Sequence, residues 1–407
     1  MPQRPVVVMK FGGTSVATVD GRNAIARRVT AALELGRAPV VVVSAMGRKG
    51  APYATDTLLG LVEGLPGDDR ERDLLASTGE LISAVLIAHE LRSTGIDAHA
   101  HTGAEAGIGT DGEYGCATVT DIYPEPMLAA IERGEVPVVA GFQGMAPDGT
   151  LTTLGRGGSD TTACALGVAL SAETVEIYTD VDGIMSADPR TCDAADVLDV
   201  IRADELFQMA RHGSRVVHTP AAELALGSGL AVRVRNTFSE HPGTLVADIG
   251  SYQPKALATA VSSVSGIARV RVALCAAEGT TEHMLAQARV YRAMADAGIS
   301  LDMFTPTTDT LVFTVADNDL TPACGVLAGL SLTCEVLTGL AKVTLVGAGM
   351  HGVPGVMARL AEYLSAAAVN VLQTADSHTT ISVLVPGEQA EAAVNAMHSG
   401  FGLSVRA

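Results

Sequence analysis

Lys10-Phe11-Gly12-Gly13-Thr14-Ser15 has the composition of an anion seat: a cation, two glycines and two hydroxyls within six positions. Glycine has no Cβ to keep a ligand from the backbone, and exposed N–H groups in such a turn attract phosphate. Lys10 is one of only four lysines, with Lys49, Lys255 and Lys342, so it is not part of a general basic background. The plain alternative is a tight turn whose lysine points to water, since the stretch is not a Walker A sequence.

A second group, Gly155-Arg156-Gly157-Gly158-Ser159-Asp160, follows the turn Pro147-Asp148-Gly149 and opens an Ala-rich helical pattern. Arg156 presents a planar fork suited to a carboxylate. Asp160 either complements the helix dipole or takes part in binding, and the surrounding Arg, Ser and glycines favour binding. A third stretch runs from Thr179-Asp180-Val181-Asp182-Gly183 to Asp188-Pro189-Arg190. It reads as a nucleotide and magnesium rim or as an Asx-type turn, the turn being favoured for Asp182. Ser77-Thr78-Gly79-Glu80 precedes an apolar helical pattern at 81–91, where Glu80 either decorates a helix start or holds a substrate ammonium. Ser44-Ala45-Met46-Gly47, with Thr55-Asp56, follows a strand end and offers hydroxyls. There is no Ser-His-Asp order with an elbow motif and no zinc-spaced histidine set. His212, His218 and His241 read as structural.

These groups need a scaffold that brings strand ends together. Apolar runs at 6–11, 39–45, 136–142, 175–179 and 231–237 alternate with helical patterns at 22–35, 73–92, 159–170 and 203–212. That is the order of a doubly wound, mostly parallel sheet with helices on both faces, in which ligands bind beyond the carboxyl ends of the strands. Residues 246–262, with Gly250, Ser251 and Pro254, read as a linker. Beyond it the rhythm becomes smaller and repeats. Ala295 to Leu301 followed by the strand 311–315 returns seventy positions later as Ser365 to Val371 followed by 381–385. Strands expected at 267–274 and 341–346 precede the two helices. This predicts two ferredoxin-like βαββαβ units, 263–338 and 339–407.

At 407 residues two or three domains are expected. Aromatic residues make up 3% and Trp is absent, so the cores must be built from Val, Leu, Ile, Ala and Met. A net charge of −18 argues against a nucleic-acid or anionic-membrane partner, so any phosphate must be held by a few local cations and a divalent metal. The six cysteines are scattered without a C-x-x-C pair and read as reduced core residues. Neither a signal peptide nor an apolar run of membrane-spanning length is evident, which makes a cytoplasmic location the expectation.

The motifs at Lys10–Ser15, Ser77–Glu80, Gly155–Asp160 and Thr179–Arg190 together resemble the aspartokinase family, with order and spacing matching across 1–245. The repeated tail resembles that family's paired ACT domains. The nearest likeness is to monofunctional bacterial forms, and the segment Asn370–Thr380 is similar to the diaminopimelate-sensitive type. The resemblance implies an amino-acid-kinase fold over 1–245 and the reaction ATP + L-aspartate → ADP + 4-phospho-L-aspartate, with Mg2+ bridging phosphate oxygens and no protein-ligated metal. It implies Lys10, Asp160 and Arg215 as catalytic charges. Ser15, Thr55, Glu80, Arg156 and Ser159 would form the aspartate site, with Arg156 on the α-carboxylate. Lys10, Gly12, Gly13, Thr179, Asp180, Met185, Arg190 and Arg215 would line the nucleotide site. Asp302, Gln373 and Asp376 would bind an amino-acid effector, namely diaminopimelate, lysine or threonine, and the ACT units would pair two chains into a homodimer.

The chain departs from the family in places. Gly213-Ser214-Arg215 stands where Gly-Ala-Lys is usual, and a planar fork replaces a point charge. Met185 stands where many members have a tyrosine, and the usual Pro-Gly is missing around Gly279-Thr280-Thr281, although Val353-Pro354-Gly355 keeps it in the second repeat. Rival readings are a kinase of glutamate, acetylglutamate or an aspartate analogue, an aspartokinase serving ectoine or secondary metabolism, and a non-catalytic amino-acid sensor.

Overall fold

The computed structural model describes residues 4–213, 227–247, 256–274, 281–307, 309–350 and 352–404. They form two compact units, one of 4–184, 197–210 and 227–247, the other of 185–196, 211–213 and the described residues from 256 on.

In the first unit the strands are β1 (Val6–Phe11), β2 (Ala38–Val43), β3 (Ala98–His101), β4 (Ile108–Thr110), β5 (Val119–Ile122) and β6 (Val136–Ala140). They continue as β7 (Gln143–Met145), β8 (Leu151–Thr153), β9 (Thr174–Thr179), β10 (Val200–Arg202), β11 (Ala231–Asn236) and β12 (Thr244–Ala247). Eight of them make one sheet in the order β10-β12-β11-β9-β1-β2-β6-β3, parallel except where β11 meets β12. β5-β4-β7-β8 form a separate small sheet. The doubly wound architecture predicted from the sequence is present, and β1 occupies the predicted residues.

β1 is central because both of its neighbours are parallel strands and its apolar side chains are buried on both faces. Val7, Met9 and Phe11 pack on one face with Ile25 and Val29 of the helix Val19–Glu34 and Ile87 and Leu91 of the helix Asp69–Ser93. Each such buried side chain is worth about 1.5–3 kcal/mol. Alternation sends Val8 and Lys10 to the other face, under the helix Gly158–Ala169. The ring of Phe11 stacks on Tyr178 with centroids 4.6 Å apart. The Tyr178 hydroxyl donates to Glu176 Oε2 at 2.6 Å, and the Arg28 and Arg235 guanidiniums lie over its ring. In a chain with few aromatics, this stack pins the residues that flank Lys10 and Thr179.

The helix Asp69–Ser93 corrects one expectation: it is long and apolar enough by length and composition to cross a membrane. Half of that stretch is buried in the fold, where Ala84, Ile87, Ala88 and Leu91 are completely enclosed, as expected for the core helix of a globular unit.

The second unit holds β13 (Ala260–Ala273), β14 (Asp302–Pro306), β15 (Thr310–Ala316), β16 (Cys334–Val346), β17 (Gln373–Asp376) and β18 (Thr380–Pro386). They form one sheet ordered β14-β15-β13-β16-β18-β17. The two repeats are not successive beads. The first half of β13, Ala260–Ser265, pairs with the second half of β16 beside β18 and β17. The second half of β13 pairs with the first half of β16 beside β15 and β14. Both long strands therefore run through both ferredoxin-like units, with a bulge at Ser265–Ile267, where Gly266 has φ +75°. This differs from the boundaries 263–338 and 339–407. It also narrows the linker of 246–262, because β12 reaches Ala247 and β13 starts at Ala260. Residues 248–255 and Gly279-Thr280 lie outside the described residues.

Of the cysteines, Cys164 and Cys192 are buried as predicted. Cys116 is exposed, and Cys324 and Cys334 are half-buried with their sulfurs 3.9 Å apart.

Candidate active site

Beyond the carboxyl ends of β1, β2 and β6 the first unit opens a cleft of about 510 Å³. Lys10, Gly13, Ser44, Ala45, Gly47, Thr55, Glu80, Arg156, Ser159 and Asp160 all line it, so residues from four separate motifs share one space. A volume of this size is typical of small-ligand sites.

Lys10 Nζ lies 2.7 Å from Asp160 Oδ1, both side chains being about one-eighth exposed. Asp160 sits in the first turn of the helix Gly158–Ala169, so it complements the helix and holds the lysine at once, and both sequence readings apply. Gly157, in the left-handed conformation, is the residue before that helix. A Cβ on Gly158 would come within 2.8 Å of Leu154 and Phe142. Phe142, which also lines the cleft, is held at φ +71° with its N–H on Thr162 Oγ1, a conformation that costs a bulky residue energy. Arg156 is exposed and, among the described residues, has no ion-pair partner. Gly155 and Gly157 on either side of it, at φ +68° and +75°, lift it to the apex of its turn.

At the other wall, a Cβ on Gly13 would meet Ala45 O at 2.4 Å and Gly47 O at 2.7 Å, so close packing requires that glycine. On Gly12 it would meet nothing nearer than Tyr178 O at 3.7 Å and Lys10 Nζ at 3.9 Å. These are ordinary contact distances, so packing does not force a glycine at Gly12, and Gly12 does not line the cleft.

Glu80 lies in the middle of the helix Asp69–Ser93 and not at a helix start, which corrects the dipole reading. The helix runs on through Gly79, where only glycine fits because a Cβ would strike Ala45 Cβ and Tyr53 O, each at 2.8 Å. Ser77 and Thr78 turn their hydroxyls back to Leu74 O and Leu75 O. Glu80 is 3% exposed. Its Oε1 accepts the Ala45 N–H at 3.0 Å, and Oε2 has no hydrogen-bond partner among the described residues. Burial pushes its carboxyl up to about 7, against the pull of the Ala45 N–H. Because this pKa stands above the ordinary 4.5, the folded protein binds the extra proton. The contribution of Glu80 to stability therefore falls as pH rises from 4.5 to about 7 and is level above that.

Ser15 is not brought to the cleft. It is completely buried, and its hydroxyl shares a 2.6 Å hydrogen bond with Thr237. Thr179 ends β9 and Asp180 follows it, paired to Arg48 at 2.7 Å, while Asp182 accepts from Asn236 Nδ2 instead of closing an Asx turn. Met185 and Arg190 belong to the second unit and do not line the cleft, the Arg190 fork lying on Asp188 at 2.6 Å. Arg215 and His218 lie outside the described residues.

Asp73, Arg48 and Lys49 also line the cleft and were not singled out from the sequence. Asp73 is 3% exposed and accepts the Gly115 N–H at 3.0 Å, and the Thr153 N–H and hydroxyl at 2.7 Å each. Its signal is the spacing Asp73, Ser77, Glu80, a polar line on the buried face of an otherwise apolar helix. Asp73→Ala would orphan the two buried donors of Thr153 and leave the exposed Gly115 N–H to water, and is expected to lower stability by about 3 kcal/mol. Urea denaturation checks this, and a loss below about 1 kcal/mol would remove Asp73 as the brace.

Among the histidines, His241 accepts the Gly243 N–H, and burial pushes His212 down to about 4. Asp97 just before β3, His99 on β3 and Glu135 just before β6 lie within metal-ligand reach of one another, but Arg133 already grips Glu135 at 2.6 and 2.9 Å.

In the second unit the Lys342 ammonium takes up the Asp302 carboxylate. Burial opposes ionisation of Asp302, but Lys342 and the Met303 N–H bring its pKa below the usual carboxylate value. Gln373 Nε2 reaches from β17 to Met303 O and Thr305 Oγ1. Asp302 and Gln373 are thus neighbours, while Asp376 is exposed on the edge of β17.

Residues 5–236 match the amino acid kinase family and residues 335–399 an ACT domain. The chain is 42% identical over 406 residues to Aspartokinase 1 of Bacillus subtilis, covering 98% of this chain and 99% of that protein. It is 37% identical over 415 residues to the Aspartokinase of Thermus thermophilus, with 98% and 99% covered. Among solved structures it is similar to E. coli aspartokinase III in complex with aspartate and ADP, at TM-score 0.77 and 27% identity over 97% of this chain and 99% of that one. The same enzyme with lysine and aspartate gives TM-score 0.80 and 28% identity, covering 98% and 99%. The chain belongs to the aspartokinase family.

Proposed function

We propose that this enzyme transfers the γ-phosphoryl group of ATP to the β-carboxylate of L-aspartate, giving ADP and 4-phospho-L-aspartate. The observation that carries the reading is that one cleft is lined both by Lys10 and Gly13 and by Arg156, Ser159 and Asp160. A cation is thereby offered to phosphate in the same space as a guanidinium free for a carboxylate.

The nucleophile is a carboxylate already ionised at neutral pH, so no general base is required. Catalysis then consists of aligning carboxylate and γ-phosphate and neutralising charge on the transferring group. Lys10, steadied by Asp160, meets the phosphate oxygens above Gly12-Gly13. Arg156 takes the α-carboxylate of aspartate, Glu80 its ammonium, and Thr55 and Ser159 offer hydroxyls. Magnesium bound with ATP would neutralise further charge on the phosphate oxygens. Thr179 and Asp180 line the nucleotide, and Arg215 adds a second cation. A coupled ADP-release assay with aspartate, glutamate and acetylglutamate tests the acceptor. Turnover is expected with aspartate alone, and faster turnover with another acid contradicts the reading.

Glu80 must be ionised to hold an ammonium, and burial puts its pKa at about 7. The KM for aspartate is therefore expected to be about tenfold higher at pH 6 than at pH 8, while KM for ATP stays level. Glu80→Gln should raise KM for aspartate and abolish this dependence. A flat pH profile in the wild type would take Glu80 off the ammonium.

The ACT units support feedback control by an amino acid held near Asp302, Gln373 and Asp376, with diaminopimelate, lysine and threonine as candidates. Millimolar additions to the assay are expected to inhibit with at least one of them, and unchanged activity with all three contradicts this. Pairing of ACT units into a homodimer and a cytoplasmic location complete the proposal.

A further inference from the structure

Two thiols meet in the first ferredoxin-like half of the second unit. Cys324 lies on the helix Asp317–Gly329 and Cys334 opens β16, and their sulfurs are 3.9 Å apart. The backbone between them is fixed without help from the sulfurs. Leu327 is completely buried, and Leu330 and Leu332 pack on the same core as Cys334. Ser331, left-handed at φ +60°, closes the helix end: the Leu332 N–H donates to Leu327 O at 3.0 Å and the Ser331 N–H to Ala328 O at 2.9 Å. The start of β16 is held in register by the pairing of Cys334 with Val272 of β13. Both cysteines are half-buried, within reach of a small solute, and neither lines the cleft of the first unit.

We propose that Cys324 and Cys334 are a modification site, which hydrogen peroxide converts to a reversible disulfide within the chain. A disulfide needs sulfurs about 2.05 Å apart, so each sulfur has to move by roughly 1 Å, a side-chain rotation that leaves helix and strand in place. One thiolate attacks a peroxide oxygen, the O–O bond breaks, and a sulfenic acid and water form. The second thiol then displaces the sulfenic hydroxyl as water and makes the S–S bond. The thiols lose two hydrogens and two electrons, and the peroxide is reduced to two waters. Burial, and after it the Cys324 sulfur, push the Cys334 thiol up, so at neutral pH it rests as a thiol and reacts slowly. The reduced pair expected from the sequence is therefore the resting form. The bridge ties the end of the helix Asp317–Gly329 to the strand that runs through both ferredoxin-like halves.

To test this, the full chain is titrated with hydrogen peroxide until the exposed Cys116 is oxidised, which shows that the dose is sufficient. It is then unfolded in urea with iodoacetamide and digested with trypsin in the absence of reductant. No arginine or lysine stands between 293 and 341, so Cys324 and Cys334 fall in one peptide, 293–342, with no other cysteine. In most molecules this peptide is expected to be two hydrogens lighter than the dithiol and to take up no iodoacetamide. Dithiothreitol should restore both alkylation sites. Cys324→Ser and Cys334→Ser, checked for folding by circular dichroism, should give no such peptide. If a variant does not fold, the wild-type peptide decides alone. Two alkylated cysteines in 293–342 once Cys116 is oxidised overturn the proposal, as does their conversion to sulfinic or sulfonic acids without a bridge. A disulfide from either sulfur to Cys275 or to a second chain overturns it as well.

Discussion

Lys10→Met is expected to lower kcat about a thousandfold, the scale for removing a preorganised charge from a transferring group. Two effects act together. The cation that meets the phosphate oxygens disappears, and Asp160, 8% exposed and 2.7 Å from the lost ammonium, is left as an uncompensated anion in the cleft. The second effect predicts a pattern. Asp160→Asn alone should cost less than Lys10→Met, and adding it to Lys10→Met should recover part of the loss, since the two groups share one interaction. Met keeps the length of the lysine stem, and the neighbours Met9 and Phe11 remain enclosed in the core, so the strand should stay in place. Steady-state kinetics with circular dichroism measure both points. A kcat within tenfold of wild type would remove Lys10 from the phosphoryl path.

Arg156→Ala is expected to raise KM for aspartate about a hundredfold, the worth of a charge-assisted, two-pronged contact of roughly 3 kcal/mol. Arg156 is exposed and without an ion-pair partner among the described residues, so its removal should leave the thermal midpoint unchanged. That separation makes the experiment informative, because a rise in KM then reports lost binding and not a damaged fold. Arg156→Lys should restore only a small part, since an ammonium cannot reproduce the fork. An unchanged KM for aspartate in Arg156→Ala would place the α-carboxylate elsewhere.

Both residues were legible because each stands in a short run of types that serves a single purpose. β1 could be read to the residue, since a Val-rich run ending at two glycines leaves no freedom about where the strand stops. Glu80 was found but misplaced: Gly79 resembles a helix break in sequence, yet close packing against Ala45 and Tyr53 requires it there. Asp73 escaped because its partners, Gly115 and Thr153, are 42 and 80 positions away and only the fold brings them to it. Ser15 shares the phosphate motif, but it is packed inward against Thr237, a pairing across 222 positions. The repeat in the tail was visible from its period. The sharing of β13 and β16 was not, because each strand runs through both halves with only one glycine at the border, Gly266 in β13 and Gly339 in β16. Likewise Met185 and Arg190 sit in a run continuous with β9, and only tertiary packing assigns them to the second unit.

Trapping the product addresses the central claim most directly. Protein incubated with magnesium, ATP, L-aspartate and hydroxylamine should yield aspartyl hydroxamate in step with ADP, and Lys10→Met protein should yield neither above background. ADP release without hydroxamate, or equal hydroxamate from both proteins, would contradict a cleft that carries phosphate past Lys10 to the side chain of aspartate.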